Sequence, residues 1–209
     1  MTTLKRGSRG SEVRTLQSKL NLLADGIFGP LTEEAVKEFQ KRKGLTADGV
    51  VGAKTWAALG VTQSERKVDQ IILHCTATPE GEEFSNEQIR HSHLARGFSD
   101  IGYHYVIGLN GEIRPGRSES IAGAHCTGHN TRSIGVSLVG GCPGRNVPDW
   151  NKKSKDTRTP AQRVALEKLV KELLKRYPGA TVHGHNEFAN KACPSFNVKE
   201  WLKQVGIKQ

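Results

Sequence analysis

Apolar positions recur at helical spacing through the first part of the chain. Val13, Leu16 and Leu20 share one face, and Ala35, Val36 and Phe39 share another. The same punctuation is written twice, as Ala24-Asp-Gly-Ile-Phe-Gly-Pro-Leu-Thr and Ala47-Asp-Gly-Val-Val-Gly-Ala-Lys-Thr. Each copy reads as a turn feeding a helix. The Asp-Gly pair and the second Gly supply backbone geometry that a Cβ disfavours, and Thr32 and Thr55 are expected as N-caps. The pattern predicts about three short helices over residues 1–60, around a small core holding Phe28, Phe39 and Trp56. Such a unit is close to the lower size limit for independent folding. Residues 61–68 are polar and unpatterned and read as a linker.

From Val68 the pattern changes to strands alternating with helices, over a domain expected at 69–209. Ile71-Ile-Leu-His-Cys-Thr is a short apolar strand. Ser85 with Gln88 predicts a capping box for a helix running to about Arg96. Tyr103 to Leu109 reads as a strand, and Asn110-Gly111 as a hairpin turn returning through Glu112-Ile-Arg. Ser133 to Val139 is a second buried strand, ended by Gly140-Gly141. Thr159-Pro160 with Gln162 opens a helix whose apolar face carries Leu166, Leu169, Val170 and Leu173, stopped by Pro178-Gly179. Thr181-Val-His is a last strand, and Val198 to Val205 a terminal helix. The order predicts an α/β fold, a mixed central β-sheet flanked by helices, preceded by the small three-helix domain.

Composition narrows the function classes. Of 209 residues, 31 are Lys or Arg and 21 Asp or Glu, giving a formal net charge of +10. A basic surface favours polyanions such as nucleic acid, anionic lipid or bacterial envelope polymers. The basic residues are spread along the chain, with Lys41-Arg42-Lys43 and Lys152-Lys153 as the tight groups, and no nucleic-acid motif appears. No nucleic-acid partner is therefore expected. No stretch approaches the ~20 apolar residues that span a bilayer. Met1-Thr-Thr-Leu-Lys-Arg-Gly lacks the apolar run of a secretory signal, so synthesis in the cytoplasm without a signal peptide is expected. The four cysteines, Cys75, Cys126, Cys142 and Cys193, are expected as free thiols or metal ligands rather than a disulfide framework.

A catalytic zinc site takes three protein ligands and keeps a fourth position for water. His74 at a strand end, His185 just past the last strand, and Cys193 in Lys191-Ala-Cys-Pro-Ser are candidates. Spacing alone leaves surface histidines and a buried thiol as an equal reading. His183 and His185 flank Gly184, and strand alternation lets both face one side.

Four motifs occur in order: Ile72-Leu-His-Cys-Thr-Ala-Thr, Gly102-Tyr-His-Tyr-Val-Ile, Ser133-Ile-Gly-Val-Ser-Leu-Val-Gly-Gly, and His185-Asn-Glu-Phe-Ala-Asn-Lys-Ala-Cys-Pro-Ser-Phe. Together they resemble the type-2 N-acetylmuramoyl-L-alanine amidases, most closely the phage enzymes once called lysozymes. The peptidoglycan recognition proteins belong to the same superfamily. Residues 4–60 resemble the peptidoglycan-binding domain appended to many wall hydrolases. The resemblance implies a modular phage endolysin, probing peptidoglycan as partner and cutting its muramic acid–L-alanine amide after release to the wall, with a monomer expected.

The same resemblance implies one Zn2+ held by His74, His185 and Cys193, with Tyr103 and Lys191 assisting catalysis. Of the paired histidines, His185 has the family's spacing from the cysteine. Tyr103 can orient the water or donate to the oxyanion, and the sequence leaves both roles open. His125 matches a position lining the cleft and is expected to contact substrate, with Asn130 as a further substrate-binding candidate. Cys75 is expected to face away from His74 by strand alternation. A non-catalytic recognition protein of the same fold is the second reading, and the thiolate ligand Cys193 weighs against it.

Overall fold

Two glutamines, one per repeat, organise the N-terminal part of the chain. The computed structural model describes residues 3–61 and 66–209, so residues 1–2 of the start and 62–65 of the expected linker lie outside the described residues. Helices α1 (Ser11–Lys19), α2 (Pro30–Arg42) and α3 (Ala53–Ala58) are separated by the two Asp-Gly turns. Gln17 Nε2 reaches Asp25 Oδ1 at 2.7 Å, the Ile27 carbonyl at 3.1 Å and Thr32 Oγ1 at 3.1 Å, and its Oε1 accepts from the Gly26 N–H at 2.8 Å. Gln40 makes the same set with Asp48 (3.0 Å), Val50 (2.9 Å), Thr55 (3.2 Å) and Gly49 (3.0 Å). Both glutamines are buried. A buried amide left unpaired costs on the order of 1–3 kcal/mol, so each turn is built around its glutamine.

This network corrects the expected caps. Gly29 and Gly52 are the N-cap residues, and Pro30 starts α2. Thr32 and Thr55 lie inside the first turn, where their hydroxyls serve the glutamine instead. Val13, Leu16, Phe28, Val36, Val51 and Trp56 fill the core beneath. The chain divides into compact units of Met1–Arg66 and Lys67–Gln209.

The second unit carries a five-stranded sheet in the order β4-β3-β5-β1-β7. Strand β1 (Gln70–Cys75) lies between parallel neighbours β5 (Ser133–Leu138) and β7 (Thr181–Gly184). Strand β3 (Tyr105–Ile107) is parallel to β5 and pairs antiparallel with β4 (Ile113–Pro115) through the Asn110-Gly111 turn. The β3 strand is shorter than the expected 103–109 span, so Tyr103 stands before it rather than in it. A small ladder joins β2 (Thr78–Pro79) to β6 (Gly141–Cys142).

The sheet's two faces differ in character. Helix α5 (Pro160–Arg176) begins at a capping box of Thr159 and Gln162 and buries Leu166, Leu169, Val170 and Leu173 against Ile71, Leu73, Ile134 and Val136. Truncating Leu166 to alanine there costs about 2–5 kcal/mol. Buried Gln162 also donates to the carbonyls of Ile107 (3.1 Å) and Val139 (2.9 Å), tying the helix start to the ends of the parallel strands. Alternation turns Ile72 and His74 to the opposite face. That face is covered by α4 (Asn86–Ala95), which starts at the Ser85–Gln88 capping box, by Ile101 before β3, and by the loop that brings His125 to His74. Helix α6 (Val198–Gln204) closes the β7 side with Val198, Trp201 and Leu202. Among the described residues no helix is long and apolar enough to cross a membrane.

Candidate metal centre

Parallel strands place their loops, and so their functional groups, at their carboxyl ends. His74 is the penultimate residue of β1, 1% exposed. At Gly184 the chain leaves β7 and enters a short 3-10 turn, His185–Glu187. This break resolves the paired histidines. The His185 ring sits 4.6 Å from the His74 ring between centroids. His183 turns elsewhere, to Thr181 Oγ1 at 2.8 Å and Glu187 at 3.3 Å, against Phe188.

Cys193 arrives on a loop fastened at several points. Its carbonyl accepts from the Asn186 N–H at 2.8 Å, and Ser195 Oγ donates to the Gly141 carbonyl at 3.0 Å. The guanidinium of Arg158 lies over the Phe196 ring at 3.3 Å and is itself held by Asp156 at 2.8 Å. The Cys193 sulfur then lies 3.6 Å from His74 Nδ1. One ligand atom from each of His74, His185 and Cys193 falls within 4.8 Å of the others. In a tetrahedral zinc site with Zn–S near 2.3 Å and Zn–N near 2.0–2.1 Å, the N···S edge is roughly 3.6 Å. The His74–Cys193 pair already has that separation and His185 lies within 4.8 Å of both, a donor set compatible with one such ion.

The electrostatics favour ligation by the imidazoles. Burial, then the charges of His125, His185 and Lys191, hold His74 well below the usual histidine range. Burial, then Lys191, lowers His185. Both rings are neutral near pH 7, as metal ligands must be. The hydrogen bond with Cys75 and burial push the Cys193 thiol up. A coordinated cation is what removes the proton from a thiol so placed.

Around this trio, Tyr103 is half-buried with its ring 5.2 Å from that of His74 and 5.2 Å from that of His93. Burial, then the charges of Cys193 and Cys75, push its hydroxyl above the usual tyrosine range, so it keeps its proton. Lys191 is exposed, and its charge is felt by both histidines. A cavity of about 90 Å³ beside Tyr103 is lined by Thr76, Thr78, His93 and Arg96 among others. His125 Nδ1 lies 3.0 Å from His74 Nε2. Asn130 Oδ1 accepts from the backbone N–H groups of His125 (2.8 Å) and Cys126 (2.9 Å). His129 lies apart, against Phe188 and Gln70.

A family profile for N-acetylmuramoyl-L-alanine amidase matches residues 64–196, more than half of the chain. The chain belongs to the N-acetylmuramoyl-L-alanine amidase family. A peptidoglycan binding domain profile matches residues 9–59 ahead of it. The amidase is 40% identical over 142 residues to the endolysin of Escherichia phage T7, covering 68% of this chain and 90% of the phage protein. Among solved structures it is similar to the N-acetylmuramoyl-L-alanine amidase LysC from Clostridium intestinale, with a TM-score of 0.57 and 27% identity over 68% of this chain and 87% of that one. Drosophila PGRP-LB shares the fold, with a TM-score of 0.55 at 21% identity over 68% of this chain and 84% of that one.

Some of the amidase's site escaped the sequence reading. Cys75 takes part through its backbone: its N–H donates to Cys193 Sγ at 3.3 Å, while its thiol sits 3.4 Å from Ser195 Oγ. Ser133 and Gly135 flank His125, and only their place in the Ser133-Ile-Gly motif hinted at a role. All four cysteines are free thiols.

Proposed function

We propose that this amidase is a zinc-dependent hydrolase of the bond between N-acetylmuramic acid and L-alanine, acting as a phage endolysin in host lysis. The observation that carries the zinc reading is the convergence of His74, His185 and Cys193, with ligand atoms within 4.8 Å of one another and an N···S separation of 3.6 Å. When bound there, zinc supplies a Lewis acid and a water whose pKa falls to about 7. The chain's own residues supply the rest. His74 from the end of β1, His185 from the turn after β7, and Cys193 would hold the ion. Tyr103 keeps its proton and donates a hydrogen bond to the oxygen that gains charge as the amide is attacked, or to the attacking water. Lys191 places an ammonium charge at the same mouth, and one such donor is worth roughly 3–4 kcal/mol.

The likeness to the T7 endolysin supports the lytic role. Residues 1–60 act as the wall-binding domain, 61–68 as the linker and 69–209 as the catalytic domain. Tethering the two raises the enzyme's local concentration on peptidoglycan without any new catalytic contact. The net charge of +10 favours approach to an anionic envelope. The enzyme works as a monomer, made in the host cytoplasm and acting on the wall after release. Mass spectrometry of sacculus digests, with zinc and with chelator, tests this. The expected products are free stem peptides beginning with L-alanine, lost on chelation and restored by zinc. Cleavage of the glycan strand, or an activity indifferent to chelation, overturns it.

A further inference from the structure

His74 presents two nitrogens, and only one faces the sulfur of Cys193. A neutral imidazole has one bare nitrogen, and the hydrogen bond at the other decides which it is. We propose that His125 and Ser133 are positioning residues that fix the proton of His74 on Nε2 and leave Nδ1 bare toward Cys193. The role assigned here to metal binding rests on the zinc reading above.

The directions follow from one carbonyl. Ser133 Oγ donates to the His129 carbonyl at 2.8 Å, and a carbonyl can only accept. The hydroxyl has no second proton, so toward His125 Nε2, at 3.4 Å, it can only accept. His125 Nε2 therefore carries a hydrogen, and in the neutral ring, the form the proposal requires, Nδ1 is bare. That bare nitrogen lies 3.0 Å from His74 Nε2, which must donate to it. The remaining nitrogen of His74, Nδ1, is then a lone pair, 3.6 Å from Cys193 Sγ. The chain of four groups is one-way.

The slot for His125 is cut to its ring. A Cβ on Gly123 would lie 2.3 Å from His125 Cδ2, and one on Gly135 would lie 2.5 Å from the same atom. Asn130 pins the His125 backbone from the other side through the N–H groups of residues 125 and 126. A ring wedged between two glycines and pinned by its backbone is held in one orientation. This assigns His125 to the back of the metal centre, rather than to the substrate alone.

The test uses the full chain with 15N-labelled histidine. Long-range 1H–15N spectra before metal addition read the His74 tautomer, and competition with a chelating indicator reads zinc affinity. The expected result is Nε2–H on His74 in the unaltered protein. In His125→Ala zinc affinity falls about 10- to 100-fold, with Nδ1–H appearing on His74. In His125→Asn the side-chain oxygen takes the place of Nδ1 and most of the affinity returns. Ser133→Ala gives a smaller loss and a mixed His125 tautomer. An Nδ1–H tautomer in the unaltered protein, or unchanged affinity in both His125→Ala and Ser133→Ala, overturns the proposal. Should His125→Ala fail to fold, the unaltered spectrum and Ser133→Ala still decide. A protein that takes up no zinc, yet shows Nε2–H on His74 that becomes a mixture with Nδ1–H in Ser133→Ala, sinks the zinc reading and leaves the tautomer chain standing.

Discussion

The main-chain N–H of Cys75 donates to the sulfur of Cys193 at 3.3 Å, joining residues 118 apart in sequence. An N–H aimed at sulfur stabilises a thiolate, and here it belongs to the backbone of the residue next to His74. Removing the Cys75 side chain leaves that N–H in place. Cys75→Ala is therefore expected to retain stoichiometric zinc, and Cys193→Ala to lose it. Metal content after gel filtration checks both. Retention in Cys193→Ala contradicts the assignment of the sulfur ligand.

Tyr103 should affect turnover and not metal binding. Its ring packs on those of His74 and His93, so Tyr103→Phe keeps the packing and removes only the hydroxyl. A fall of about 10²–10³ in kcat is expected, with zinc content unchanged. Equal loss of zinc and rate would place Tyr103 in the metal site instead.

His93 sets an acid limit on the fold around Tyr103. It is buried, and its Nδ1 accepts from the Gly102 N–H at 2.8 Å. Burial, then the charges of Arg96 and Arg117, lower it to about 4. The unfolded chain takes up this proton below about 6.5 and the folded one only below about 4. Between those values the unfolded state binds more protons, so stability falls as pH falls and this group's contribution levels off below about 4. His93→Asn offers a similar acceptor without a titrating ring. Its melting temperature should decline less than that of the unaltered protein between pH 6.5 and 4, and parallel declines would refute this role.

Much of this architecture is legible in the order of residues. The Ser85–Gln88 and Thr159–Gln162 boxes mark their helices because capping is local chemistry. His74, His185 and Cys193 stood out by residue type and resemblance, yet their meeting depends on β1 and β7 being neighbours, which no local pattern states. Thr32 and Thr55 misled because the residues that claim them, Gln17 and Gln40, lie 15 positions away. His125 is expected at the cleft from its resemblance alone. Only the packing of β5 against its loop brings its Nδ1 within 3.0 Å of His74 Nε2.

The duplicated glutamines give a prediction about the first unit. Each bonds main-chain and side-chain partners in the same pattern, so Gln17→Ala and Gln40→Ala should destabilise it similarly, by about 2 kcal/mol or more. Calorimetry of the full chain should show the transition of the N-terminal unit lowered in both variants, with that of the catalytic unit unmoved. An effect confined to one glutamine would show that the repeats share a pattern but not a load.

X-ray absorption at the zinc edge of the loaded protein tests the central claim most directly. The arrangement of His74, His185 and Cys193 predicts one sulfur neighbour at about 2.3 Å and nitrogen or oxygen neighbours at about 2.0–2.1 Å. A first shell without sulfur, or a protein that releases stem peptides while binding no zinc, would contradict it.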